Sequence, residues 1–152
     1  MPAHSGLTAD LTTDLFHTVG RFRRQLRRTA GGSFAGVTQS QAELLRLVGR
    51  QPGISVREAA QELGLAANTA STLVSKLAAD ELLVRSADPD DRRIGRLRLT
   101  EPAQQLADQT RASRRAALDV VLKQLSGEQI DDLTKGLNVL AEMTRMLQEG
   151  RP

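Results

Sequence analysis

Cysteine, tryptophan and tyrosine are absent from this sequence, and Phe16, Phe22 and Phe34 are its only aromatic residues. Without cysteine there is no disulfide, no thiolate metal ligand and no cysteine redox sensor. The scarcity of aromatics leaves a core of Leu, Val and Ala, and argues against single-stranded nucleic-acid binding by base stacking, which uses aromatic platforms. Only two histidines, His4 and His17, are available as bases near neutrality. With no HExxH, Ser-His-Asp grouping or Gly-rich phosphate loop, we expect no catalysis, no metal centre and no cofactor. No apolar run approaches membrane-spanning length, and the opening Met-Pro-Ala-His-Ser lacks the basic and apolar regions of an export signal. A cytoplasmic protein without membrane contact is therefore expected.

The formal net charge is only +3 over 152 residues, so overall charge does not argue for a nucleic-acid partner. Clustering argues better: Arg21, Arg23, Arg24, Arg27 and Arg28 form one group, and Arg85, Arg92, Arg93, Arg96 and Arg98 another. The length fits one domain, or one small unit plus helices for pairing.

Along the chain, a polar tail precedes Leu11, Leu15, Val19, Phe22 and Leu26, which mark one face of a first helix ended by Gly31-Gly32. Thr38-x-x-Gln41 is a capping box, and Leu44, Leu45 and Val48 give the next helix its buried side. A second box, Ser55-x-x-Glu58, opens a short helix whose Val56, Ala59, Ala60 and Leu63 recur at helical spacing before Gly64. After a tight turn, Ala70, Leu73, Val74 and Leu77 share one arc of another helix. Its opposite arc is polar, holding Asn68, Thr72 and Ser75 with Ser71 and Lys76 on the flanks.

Two short helices joined by a Gly turn, the second with a polar and charge-poor face, are the helix-turn-helix pattern whose second helix enters the DNA major groove. Leu82–Arg85 reads as a strand, Asp88-Pro-Asp-Asp91 as a turn and Arg96–Leu99 as a return strand. Such a basic two-stranded wing suits phosphate and minor-groove contact. Beyond it, Thr100 is placed to cap a long helix, with Pro102 in its first turn and Leu106, Thr110, Ser113, Ala117 and Val121 as its inner stripe. Ser126-x-x-Gln129 starts a last helix in which Ile130, Leu133, Leu137, Leu140, Thr144 and Leu147 repeat like a coiled-coil seam. So much apolar helix exceeds what a small winged domain covers, which points to pairing with a second chain, a helical hairpin within the chain being the alternative. The expected fold is mainly α with a small β wing.

The residues Leu77, Leu82, Leu83, Val84 and Arg85, followed by Asp88-Pro89-x-Asp91-Arg92-Arg93 and Leu97-x-Leu99-Thr100, resemble the signature of the MarR family of winged-helix transcription regulators. The resemblance runs from about Leu11 to Leu147. It implies a winged helix-turn-helix over residues 38–100, flanked by N- and C-terminal dimerisation helices in residues 1–37 and 101–152. It also implies a homodimer on a pseudo-palindromic double-stranded operator, acting most often as a repressor. On the recognition helix, Asn68, Thr69, Ser71, Thr72, Ser75 and Lys76 are the candidate contacts. The absence of Arg and Gln there implies A·T-rich half-sites. In the wing the resemblance maps an orienting Asp91 and a minor-groove Arg93, with Arg92 as the alternative reader and Arg96 beside them. Family members often release DNA when a small, frequently phenolic anion binds between the dimerisation helices and the winged domain, which implies an anionic or aromatic effector held by Arg23 or Arg27. Three departures stand out: Ala66 or Ala67 replaces the usual Ser cap, Glu81 replaces the usual Gly, and Ala103 replaces the Gly after Leu-Thr. The competing reading is a winged-helix adaptor that binds protein without specific DNA binding, which would not need a basic wing.

Overall fold

The computed structural model describes residues 3–30 and 34–150, with side chains from residue 8 onward in the first helix and up to residue 29. Within them the chain forms six helices and one two-stranded sheet, in the order α1 (Ala3–Ala30), α2 (Gln39–Arg50), α3 (Val56–Leu63), α4 (Ala67–Ala79), β1 (Leu83–Ala87), β2 (Gly95–Leu99), α5 (Glu101–Leu122) and α6 (Gly127–Glu149). The fold is thus mainly α with a small β wing.

Local signals account for most helix starts. Thr38, Ser55 and Ser126 each accept the backbone amide three residues on, while Gln41, Glu58 and Gln129 reach back to the cap amide. Each reciprocal pair satisfies two of the donors a helix start leaves open. Thr100 behaves differently. It stands at the N-cap of α5 but makes no side-chain cap bond; its hydroxyl donates instead to the carbonyl of Glu81 at 2.9 Å, and tertiary pairing wins over the local cap.

The core lies where α2, α3, α4, the sheet and the first turns of α5 meet. Leu44, Leu45, Leu47 and Val48 of α2, Val74 and Leu77 of α4, and Leu97 of β2 are fully enclosed, with Leu83, Leu99, Ala59, Ala103 and Ala107 around them. Each Leu enclosed in this way contributes about 1.5–3 kcal/mol relative to exposure. The strands pair antiparallel with Leu83 opposite Leu99 and Ala87 opposite Gly95. The turn before α3 adds to the sheet: Gly53 donates to the Leu97 carbonyl at 2.8 Å, and Leu97 to Ile54 at 2.9 Å.

Three expectations need correction, and the state of α6 bears on a further one. The first helix begins at Ala3 rather than after a tail, and Gly31-Gly32 lies outside the described residues. The first wing strand starts at Leu83, not Leu82, and runs on to Ala87. In α5 the buried residues are Ala103, Ala107 and Thr110; of the expected stripe Thr110 is buried and Leu106 packs against the core, whereas Ser113 and Val121 face solvent. The reason is the small size of Ala103 and Ala107, which lets α5 approach α2 closely enough for an ideal Cβ on Gly49 to come within 3.3 Å of the Ala107 Cβ. Finally, α6 has no buried residue, and Leu137, Val139, Met146 and Leu147 are more than half exposed. Its seam is not spent on an intrachain hairpin.

Candidate nucleic-acid interface

Gly64 ends α3 in the left-handed region, φ 63°, and turns the chain into α4; a side chain with a Cβ would be strained there. The helix that follows presents two unlike faces. Ala70, Val74 and Leu77 are buried, whereas Asn68, Thr69, Ser71, Thr72, Ser75 and Lys76 are all exposed. Ala66 is the N-cap and provides no side-chain bond. Part of the deficit is met by Asn68, whose Oδ1 accepts the Thr69 amide at 2.8 Å. The Thr72 hydroxyl donates back to the Asn68 carbonyl at 2.9 Å, and Lys76 pairs with Asp80 at 3.1 Å on the surface.

The end of α4 is a Schellman turn. Leu82 N–H donates to the Leu77 carbonyl at 3.0 Å and Glu81 N–H to Ala78 at 3.1 Å, which forces the residue between helix and strand into the left-handed region. That residue is Glu81, φ 56°, the one non-glycine with positive φ among the described residues. The departure noted at Glu81 is therefore a strained cap of ordinary geometry, pinned by the Thr100 hydroxyl.

In the wing, the loop from Asp88 to Ile94 is closed by Asp88 N–H donating to the Ile94 carbonyl at 2.9 Å. Asp88 Oδ1 accepts the amides of Asp90 and Asp91 at 2.8 and 3.0 Å. Asp91 then holds Arg93 in a fork: Arg93 Nε reaches Oδ1 at 3.1 Å and Nη2 reaches Oδ2 at 3.4 Å. The Arg93 side chain remains 92% exposed, so the planar cation is oriented yet open to a partner. Arg92 stands exposed beside it. Arg96 does not join them. Its Nε donates to Asp88 Oδ2 at 2.7 Å and its Nη1 to the Gly53 carbonyl at 3.3 Å, with Glu58 at 3.5 Å. The guanidinium expected to face DNA is committed within the protein, because it projects from β2 toward the start of α3. No residue spacing could have foretold that.

A second arginine group forms where α1, α2 and α5 meet. Arg23 pairs with Glu43 at 2.9 Å and Arg27 Nη1 donates to Gln39 at 3.4 Å, so both expected effector ligands already hold partners from α2. Sequence reasoning missed Arg46 and Arg114. Burial, then the charge of Arg114, lowers the pKa of Arg46; burial, then Arg27, lowers that of Arg114. Arg114 Nε is buried and has no hydrogen-bond partner among the described residues. Glu43 lies among them, and although burial raises its pKa, the bonds from Gln39 and Arg23 outweigh this and bring it below the ordinary value. The signal available in sequence was the helical spacing of Arg114 from Ala103, Ala107 and Thr110, which puts a cation on the inward stripe. Among the described residues no cluster of His, Asp and Glu could hold a metal ion, and no helix is long and apolar enough to cross a membrane.

No curated protein matches the chain by sequence. Among solved structures, it is similar to FabT of Streptococcus pneumoniae in complex with DNA, at 20% identity and a TM-score of 0.76, over 94% of this chain and 99% of that one. It is similar also to a MarR family protein from Bacillus stearothermophilus, at 21% identity and a TM-score of 0.72, over 93% and 97% of the two chains. The transcriptional regulator PcaV from Streptomyces coelicolor, in complex with its natural ligand, aligns at 23% identity and a TM-score of 0.61, over 84% and 89%. The family model described as the MarR family matches residues 35–94. That segment holds α2, α3, α4, β1 and the wing loop, so the likeness to the MarR family falls on the winged helix-turn-helix of the fold.

Proposed function

We propose that this chain is a cytoplasmic, homodimeric, sequence-specific double-stranded DNA-binding repressor, relieved by a small anionic or aromatic effector. The observation that carries the DNA reading is the division of α4: every candidate contact from Asn68 to Lys76 is exposed, while Ala70, Val74 and Leu77 anchor the helix in the core. A helix so held can enter a major groove without losing its own packing. Asn68 and Lys76 supply polar contacts to base edges or phosphate, Ser71 and Ser75 either, and the methyl groups of Thr69 and Thr72 meet thymine methyls. Arg93, fixed by Asp91 and flanked by Arg92, reaches the minor groove. FabT, solved on DNA, shares this architecture and supports the reading.

Pairing is supported by the apolar surface left on the terminal helices. Leu11, Phe16 and Phe22 of α1 and Leu137, Met146 and Leu147 of α6 are 55–77% exposed, apolar surface that is a liability for a lone chain. In this reading residues 38–100 bind DNA while 1–37 and 101–152 pair, two recognition helices then spanning successive major grooves about one helical turn apart. For the effector, the unpartnered Nε of Arg114 and the partly buried Arg46 offer an anion the hydrogen bonds that Arg23 and Arg27 already give to Glu43 and Gln39. PcaV, solved with a ligand, lends support to that part.

Fluorescence anisotropy with the intergenic DNA upstream of the gene, and with a scrambled duplex of equal length, each at two salt concentrations, tests the proposal. Preference for the upstream duplex is the expected result. Equal and steeply salt-dependent binding to both would leave only a non-specific electrostatic interaction.

A further inference from the structure

Resting on the DNA-binding reading above, we infer that Arg96 is a positioning residue, which sets the attitude of the wing against the helix-turn-helix without itself touching DNA. The guanidinium ties its own wing to a segment 43 and 38 residues away in sequence. Through Nε it holds Asp88, the residue that opens the wing loop; through Nη1 it holds the Gly53 carbonyl in the turn before α3 and lies beside Glu58 in the first turn of that helix.

Both ends of this bridge are themselves anchored. Glu58 Oε2 accepts the Ser55 amide at 2.8 Å within the capping box, so the carboxylate near Arg96 is also part of the start of α3. At the other end, Asp88 gives one oxygen to Arg96 and the other to the amides of Asp90 and Asp91. Asp91 in turn receives both the backbone N–H and the guanidinium of Arg93. An unbroken polar chain therefore runs from the N-terminus of α3 through Arg96 and Asp88 to the one wing-tip cation that is 92% exposed. The wing's core residues, Leu83, Leu97 and Leu99, lie at its base, none of residues 84–96 is buried, and a sheet of two strands is marginal without support. A fork with two fixed hydrogen-bond directions restrains its tilt in a way that β-pairing alone does not.

Charge placement argues against the alternative that Arg96 swings out to a phosphate. The Asp88 side chain retains only 14% of its surface, and withdrawing Arg96 would leave that carboxylate facing protein with its cation gone. Arg93, by contrast, gives up nothing but an exposed pair when it turns to DNA.

The test compares Arg96→Met, Arg96→Lys, Asp88→Asn and Arg93→Ala in the full chain, on the upstream duplex. Asp88→Asn keeps the Oδ1 acceptor for the loop amides and leaves all wing cations in place. Both Arg96→Met and Asp88→Asn are expected to weaken binding by about tenfold, with the slope of log affinity against log salt as in the unaltered protein. Arg93→Ala should lose about one unit of that slope. Arg96→Lys, which keeps the charge but loses the fork, should bind like Arg96→Met. In the DNA-free protein, amide exchange of Asp90, Asp91 and Arg93 should quicken in both Arg96→Met and Asp88→Asn. If Arg96→Met loses salt slope while Asp88→Asn binds normally or more tightly, Arg96 contacts DNA and the inference is overturned; full rescue by lysine overturns it as well. Should the unaltered protein bind no duplex, the DNA reading fails separately, and unchanged amide exchange would then overturn the clamp.

Discussion

Leu77 in α4 and Leu137 in α6 are the same residue on helices with clear apolar stripes, yet the first is fully enclosed and the second 55% exposed. The difference extends to their surroundings. From α2 to the first turns of α5, apolar side chains meet one another within the chain, and even the wing's Arg96 finds partners there. In α6 no residue is buried, and α1 leaves Leu11, Phe16 and Phe22 more than half exposed. One region is complete as a single chain; the other, in the dimer proposed above, is completed by a second copy. A leucine stripe in sequence states how much surface must be covered but not by whom.

The largest effect should come from breaking the unfinished region. Leu137→Asp removes a leucine from the proposed pairing face of each copy, about 2–3 kcal/mol per dimer from lost burial of its 55% exposed surface, and adds the further cost of burying two charges there. Sedimentation should find monomers at micromolar concentration, with the circular dichroism of the winged unit retained. Next, Leu77→Ala should cost about 2–5 kcal/mol, read by urea denaturation. It sharpens the contrast if Leu137→Ala costs stability only at concentrations where the protein pairs. A third variant leaves both regions intact: Arg93→Ala should weaken duplex binding by about 1–3 kcal/mol without altering the urea midpoint or the oligomeric state. Unchanged affinity would remove Arg93 from the interface.

Smaller still is Glu81→Gly. Relief of the left-handed backbone outweighs the added freedom of the unfolded chain, and thermal denaturation should register a gain of about 0.5–1 kcal/mol. The least effect is one of pH. The bond from Arg96, then the amides of Asp91 and Asp90, hold the Asp88 carboxyl below its ordinary pKa; the Ser55 amide and hydroxyl, then Arg96, do the same for Glu58. A depressed folded pKa contributes stability that is complete above the unfolded value and is lost as pH falls through the folded one. Stability should therefore decline below about pH 4, less steeply in Asp88→Asn, as urea midpoints across the acid range will tell.

The elements legible in sequence were those written in neighbouring residues. Capping boxes at Thr38, Ser55 and Ser126, the turn at Gly64 and the buried arc of Ala70, Val74 and Leu77 involve residues a few positions apart, and each folds as its spacing predicts. The Asp91–Arg93 fork is equally local. What sequence concealed depends on distant partners: Arg96 turns inward because Gly53 and Glu58, some 40 positions away by the separations of 43 and 38, lie beneath it. Thr100 forgoes its cap for Glu81. The Nε of Arg114 is buried because α5 packs inward along Ala103, Ala107 and Thr110.

The most direct test is the stoichiometry on DNA, measured by sedimentation of the protein with its upstream duplex. Two chains per duplex, falling to no stable complex in Leu137→Asp, is the result predicted if the terminal helices exist to hold two winged units together. One chain per duplex, with undiminished binding by Leu137→Asp, would contradict it.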